Sequence, residues 1–273
     1  MEGFSSSETS GRAVSLSFRW LGAAGLELKA GNQVLVVDPF FTRPSLVQLL
    51  QPLKPDPSLA IEKLPTCSAV LVTHSHYDHL LDVPVVLHHT GAQAFGSANT
   101  CQLLRLLGVP DSQVTQVKVG SEFKLGAFRI EVIAGQHSSI PFARVFNGPL
   151  RPGLQPPLHV QDYRMDICLG YRITAVGMSM LVCAAIPQPA HILVAVAQES
   201  QAYYRRMFRG VQPHTFIPIH WDNFTRPFSK PVRRFTRPGR LPLWQITRLA
   251  RRMLPGANVI IPEIFSEYTL GDS

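Results

Sequence analysis

In Ala69-Val70-Leu71-Val72-Thr73-His74-Ser75-His76-Tyr77-Asp78-His79, an apolar run is followed at once by three imidazoles and a carboxylate. The run reads as a buried strand over 69–73, and the polar part as the loop that leaves it. Histidine is the commonest metal ligand, and a carboxylate beside it extends a site to harder or second cations. Alternate residues of an extended segment share a face, so His74, His76 and Asp78 project together. His79 points elsewhere until the chain turns, which suits a second metal next to the first. The His-Glu-x-x-His pattern of helical zinc proteases is absent, so the site is borne on a loop.

The 273-residue chain is 45% hydrophobic and 16% charged, the composition of an ordered globular protein with a substantial core. No run approaches the roughly 18–20 apolar residues that cross a bilayer. Residues 1–12 are expected to form a short disordered leader, because Met1 to Ser10 lacks the basic and apolar segments of a secretory signal. The rest, 13–273, is expected to be one domain. Cys67, Cys101, Cys168 and Cys183 form no Cys-x-x-Cys pair, which points to buried thiols in a reducing, cytoplasmic setting. The net charge of +8 favours acidic substrates, nucleic acid or anionic surfaces. Its arginines and lysines concentrate late, above all in a basic wrapping segment over 224–242.

Outward from the opening stretch, 13–41 reads as strands with a hairpin at Gly31-Asn32, ending in the buried run Val34 to Val37 and then Asp38-Pro39. The proline-rich span 43–65 reads as irregular. A helix starts after Asp82, which is expected to cap it, and another runs from Ser97 toward Leu107. Strands follow over 114–119 and 123–133, then 167–176, 178–185, 192–196 and 211–219. A helix carries Leu243, Ile246, Leu249 and Met253, and 258–261 is the expected last strand. The irregular span 141–162 reads as a binding loop or lid. Three strand exits thus end in histidine: His74 onward, His137 and His220.

The order of strands, helix and His-bearing loops resembles the metallo-β-lactamase superfamily of metal-dependent hydrolases. The resemblance is carried by Leu35-Val36-Val37-Asp38-Pro39, the His74 to His79 motif, His137 and Ile217-Pro218-Ile219-His220-Trp221-Asp222. Trp20-Leu21-Gly22-Ala23-Ala24-Gly25 and the final His-Trp-Asp are similar to the branch of ascorbate-6-phosphate lactonases and N-acyl-phosphatidylethanolamine phospholipases. The implied fold is α/β, a four-layer αββα sandwich of two mixed sheets packed face to face with helices outside. The resemblance implies that His74, His76 and His137 hold one metal, and Asp78, His79 and His220 a second. The expected cofactors are one or two divalent ions, zinc first, with manganese or iron admitted. Catalysis is expected to rest on Asp78, His76 and Asp38, the last orienting a ligand from behind. Paired cations bring the pKa of a shared water near neutrality and polarise the substrate oxygen.

One departure follows from the same resemblance. The family's bridging carboxylate would fall at Ala185, which cannot ligate, and Asp162 and Asp166 precede that strand rather than end it. Cys183 reads as a core cysteine. The His74/His76/His137 metal is therefore expected to bind more tightly than the other. His159 with Tyr163 is a candidate for protonating a leaving group. The leading function is hydrolysis of an ester, lactone or phosphoester in a small anionic molecule. Two alternatives compete: a basic nucleic-acid-processing protein on this fold, and a metal-poor pseudo-hydrolase.

Overall fold

The computed structural model describes residues 15–138 and 143–271, so the expected leader lies outside the described residues. The first sheet begins with an antiparallel meander, β1 (Leu16–Gly22), β2 (Gly25–Ala30) and β3 (Gln33–Val37). It continues in parallel through β4 (Ala69–Leu71), β5 (Gln93–Gly96) and β6 (Val114–Gln116). The second sheet repeats that plan with β7 (Glu122–Leu125), β8 (Phe128–Ala134), β9 (Leu169–Ala175) and β10 (Met178–Val182) antiparallel. Parallel strands β11 (Ile192–Val196), β12 (Thr215–Ile219) and β13 (Asn258–Val259) complete it. The chain then returns to the first sheet, where β14 (Glu267–Leu270) pairs with β1. Each sheet thus has seven strands among the described residues. The sequence shows no internal repeat, yet the two sheets share one order of antiparallel and parallel pairing.

Strand periodicity builds the layers. Leu35, Val37, Ala69 and Leu71 turn inward and meet Met180, Val182, Ile192 and Val194 of the other sheet. Between them, Val36, Val70 and Ala94 face out onto α1 (Pro57–Lys63), α3 (Val83–Thr90) and α4 (Ala98–Leu106). Leu181, Leu193, Ala195 and Phe216 likewise face out onto α6 (Gln201–Val211) and α7 (Leu243–Met253). The expected four-layer αββα sandwich is the observed one. Two short helices, α2 (Tyr77–Leu80) and α5 (Ala143–Phe146), lie on the loops of one edge.

Three elements depart from the sequence reading. The span 43–65 contains α1, whose start is set by Asp56 accepting from Leu59 N at 3.0 Å with Pro57 as the first helical residue. The expected strand over 211–219 begins only at Thr215, because Val211 closes α6, which turns Tyr203, Tyr204, Met207 and Phe208 onto the sheet. The last strand is β14 rather than 258–261, and it closes the sheet edge beside the N-terminal strand.

Asp82 precedes α3 but does not cap it with its side chain. Its carboxylate instead accepts from Phe41 N at 2.6 Å, Thr42 N at 2.9 Å and the Thr42 hydroxyl, tying the loop after β3 to the helix. Burial raises this carboxyl from 3.8 to about 6 in spite of those bonds. The folded chain therefore holds the proton more tightly than the unfolded one. That contribution is full below about pH 4 and is lost as pH rises through about 6. Relative to wild type, Asp82→Asn should gain about 3 kcal/mol between pH 4 and pH 7. Urea unfolding at several pH values checks this, and a pH-independent difference between the two proteins would overturn it.

Candidate metal centre

The site lies on one edge, where β4, β8, β10, β11 and β12 all release their C-terminal ends. The two sheets are pinned together there: Leu169 N donates to Thr73 O at 2.7 Å, and the Tyr171 hydroxyl donates to Val72 O at 2.7 Å. Three strand exits share an unusual backbone. Asp38 after β3, Cys183 after β10 and His220 after β12 each adopt a left-handed conformation, with φ of 45°, 51° and 59°. Such a conformation costs a non-glycine residue about 1–3 kcal/mol, and here it breaks strand alternation where each side chain leaves its sheet.

All six expected ligands converge in two groups. In each, the ligand atoms lie within 4.8 Å of one another: His74, His76 and His137 in one, Asp78, His79 and His220 in the other. The first three rings form a nearly even triangle, with centroids 4.6, 4.7 and 4.9 Å apart. His74 and His79 join the groups at 3.8 Å. In the second group, Asp78 Oδ2 lies 3.7 Å from His79 Nε2 and 3.4 Å from His220 Nε2.

The protein occupies one nitrogen of several rings and leaves the other free. The Thr73 hydroxyl donates to Asp38 and so accepts from His74 Nδ1 at 3.0 Å, leaving the buried His74 Nε2 without a partner. His76 Nε2 bonds Phe146 O at 3.2 Å, which leaves its Nδ1. His79 Nδ1 donates to Asp38 Oδ2 at 2.7 Å, which turns Nε2 toward Asp78. Buried polar atoms without partners are costly, and two groups of imidazoles with one carboxylate are a donor set for divalent cations. The residues fit the ions that the resemblance implies.

Electrostatics agree with this donor set. Burial, then the neighbouring rings, holds His74 well below its ordinary value, and the same causes lower His137 to about 3. Burial also lowers His76 although Asp78 opposes it. These three are neutral at physiological pH, as ligands must be. For Asp78, burial opposes ionisation but His79, His220 and His76 outweigh it, so the carboxylate is firmly charged. His79 is raised because Asp38 and Asp78 overcome its burial.

Behind each ligand-bearing loop stands a buried carboxylate. Asp38, fully buried, accepts from Thr73 N at 2.7 Å as well as from His79. Glu199, 3% exposed, accepts from the Ser138 hydroxyl at 2.5 Å and Gln136 Nε2 at 3.3 Å, bracketing His137. Asp222 accepts from Ala23 N at 3.1 Å and pairs with Arg43 at 2.5 Å. The stretch Trp20 to Gly25 thereby meets the His-Trp-Asp motif, and the Trp20 and Trp221 rings lie 4.6 Å apart. Gly22 (φ 90°) is required there, because a Cβ would sit 1.9 Å from Arg43 Nη2.

Several expectations need correction. Cys183, a core cysteine as expected, also stands on the cavity wall, whereas Ala185 does not. Ala185 instead donates its N–H to Ala134 O at 2.9 Å. Burial pushes the Cys183 thiol far up, so it stands as a neutral thiol in this environment. Asp162 accepts from His159 N and Asp166 accepts from Ser97 and Asn99 at the start of α4, so neither faces the cavity. Tyr163 lines the cavity and His159 does not. Gln198, Glu199 and Arg43 escaped the sequence reading; each stands far along the chain from the residues it serves. Arg237, part of the basic segment, lines the cavity.

Comparison with known proteins follows from this geometry. A model of the β-lactamase superfamily domain matches residues 33–185, more than half of the chain. The chain belongs to this superfamily. A metal-dependent hydrolase of the UPF0173 group from Myxococcus xanthus is 25% identical over 215 residues, covering 75% of this chain and 70% of that protein. The metallo hydrolase Igni18 of Ignicoccus hospitalis superposes with a TM-score of 0.60 at 15% identity, covering 95% of this chain and all of that one. The metallo-β-lactamase fold protein YhfI of Bacillus subtilis superposes at 0.57 with 12% identity, covering 94% and 99%. These likenesses establish the metallo-β-lactamase fold.

Proposed function

We propose that this metal-dependent hydrolase of the metallo-β-lactamase superfamily opens an ester, lactone or phosphoester bond in a small anionic molecule. In this reading His74, His76 and His137 hold one divalent ion, zinc first, and Asp78, His79 and His220 hold a second. The carrying observation is the pair of adjacent ligand groups whose free nitrogens and single ionised carboxylate face one another. When bound, the ions supply a nucleophilic water at neutral pH and polarise the oxygen of the scissile bond.

The chain's own residues set up that chemistry. Asp38 keeps a proton on His79 Nδ1, which holds the ring in one tautomer with Nε2 toward the cavity. Thr73 does the same for His74. Tyr77, Phe146, Tyr163 and Phe224 line a cavity of about 220 Å³. That volume lies below the about 300–1,000 Å³ of drug-sized sites, which favours a small molecule over a polymer chain. The reading takes 13–273 as one domain with 224–242 wrapped against it. Four free thiols support a reducing, cytoplasmic setting.

The test is metal content per chain by plasma mass spectrometry, on protein purified without chelator or a nickel column. About two equivalents are expected, with chelator-sensitive turnover of a lactone, carboxylester and phosphodiester panel that zinc or manganese restores. One equivalent would remove the second site from the reading. None, even after zinc or manganese is added, would leave the pseudo-hydrolase alternative standing.

A further inference from the structure

The basic segment after His220 folds back along the strand exit it leaves. Asn223 N donates to Arg233 O and Phe235 N to Trp221 O, both at 2.8 Å. Gln198, 2% exposed, fastens the segment from beneath. Its Nε2 donates to Phe235 O at 2.8 Å and to His220 O at 3.3 Å, while its Oε1 accepts from Arg237 N at 3.1 Å. This clamp places Arg237 on the wall of the cavity that holds the six histidine and aspartate ligand candidates. Among the described residues, Arg237 is the only lysine or arginine on that wall.

Its guanidinium is spare. Arg43 is paired with Asp222 and stacked on Phe228, and Arg226 Nε donates to Pro231 O. Among the described residues, no carboxylate or carbonyl engages the Arg237 side chain. A half-buried cation beside ligands for two more cations makes the cavity a strong attractor for an anion. A guanidinium fork matches the two oxygens of a carboxylate or phosphate. Tyr77, Phe146, Val160 and Phe224 supply an apolar part of the same wall.

We propose that Arg237 is the specificity-determining residue that binds the non-reacting carboxylate or phosphate of a small substrate whose apolar part packs on Tyr77, Phe146 and Phe224. The word substrate rests on the hydrolase reading above; the anion site is measurable without it.

Calorimetric titration of benzoate and of phenylphosphonate tests this, on wild type, Arg237→Gln and Arg237→Lys, each as purified and after chelator stripping. Metal content and thermal midpoint are recorded for every sample. Wild type should bind at least one probe about tenfold more tightly than neutral benzamide, and R237Q should lose that preference. R237K should fall between them, because it keeps the charge and loses the fork. Which probe binds better separates carboxylate from phosphate. The effect of R237Q should persist in stripped protein, so a failure of the metal reading leaves this result intact. Equal affinity in wild type and R237Q, binding that vanishes with the metal alone, or no binding by wild type would each overturn the assignment.

Discussion

On the proposed two-ion reading, Asp78→Ala should retain about one metal equivalent against an expected two in wild type, and metal-dependent turnover should fall about a hundred- to a thousandfold. The reason is charge. Asp78 is the only anion in its ligand group, with Oδ2 3.4 Å from His220 Nε2 and 3.7 Å from His79 Nε2. Two unit charges 4 Å apart at an effective dielectric of 20 interact by about 4 kcal/mol, so two divalent ions at that separation repel by about 16 kcal/mol. Anionic ligands must offset most of this. The wall offers no carboxylate at the end of β10, where Cys183 stands as a neutral thiol. Removing Asp78 leaves two neutral imidazoles, which cannot hold a second dication beside the first. The three-histidine group keeps its ion, since none of its donors is touched. Metal analysis and turnover on D78A decide the matter, and two retained equivalents or turnover within threefold of wild type would sink it.

The strands and the cluster of candidate ligands were legible because both are local. Buried runs such as Val34 to Val37 and Ala69 to Val72 announce parallel strands, and three histidine-bearing exits mark one edge. The supports were not legible, because they join residues far apart in sequence. Glu199 serves His137 from 62 residues away, and Arg43 reaches Asp222 across 179. Cys183 shows a different limit. Counting faces along β10 assumes strand alternation, but its left-handed backbone ends that alternation one residue past Val182. The count therefore left Cys183 in the core, while the turn also puts it on the cavity wall. Asp38 and His220 occupy the same kind of turn, yet their place at the site was readable because motif resemblance, rather than periodicity, singled them out.

Asp222→Ala should destabilise the fold by about 3–5 kcal/mol, a large part of the about 5–15 kcal/mol that holds a domain together. Asp222 is fully buried and its partner Arg43 has 2% of its side chain exposed. Burial works against the Arg43 charge, and the Asp222 carboxylate is what compensates it. Without it, a guanidinium remains inside the protein and Ala23 N loses its acceptor. The pair also organises the site. Arg43 stacks 3.8 Å above Phe228 and reaches Arg226 O, so it anchors the basic segment at a second point besides Gln198. His220, two residues before Asp222, sits on the same turn. D222A should therefore also loosen the second metal group more than the first. A double variant, Arg43→Met with Asp222→Leu, should cost less than the sum of the single changes, because it removes both charges and leaves neither stranded. Urea unfolding of wild type, R43M, D222L and the double variant measures the coupling, with D222A alongside for the single loss. A D222A cost below about 1 kcal/mol, or additive single effects, would mean that the ion pair is incidental and that packing alone holds the His-Trp-Asp turn against Gly22.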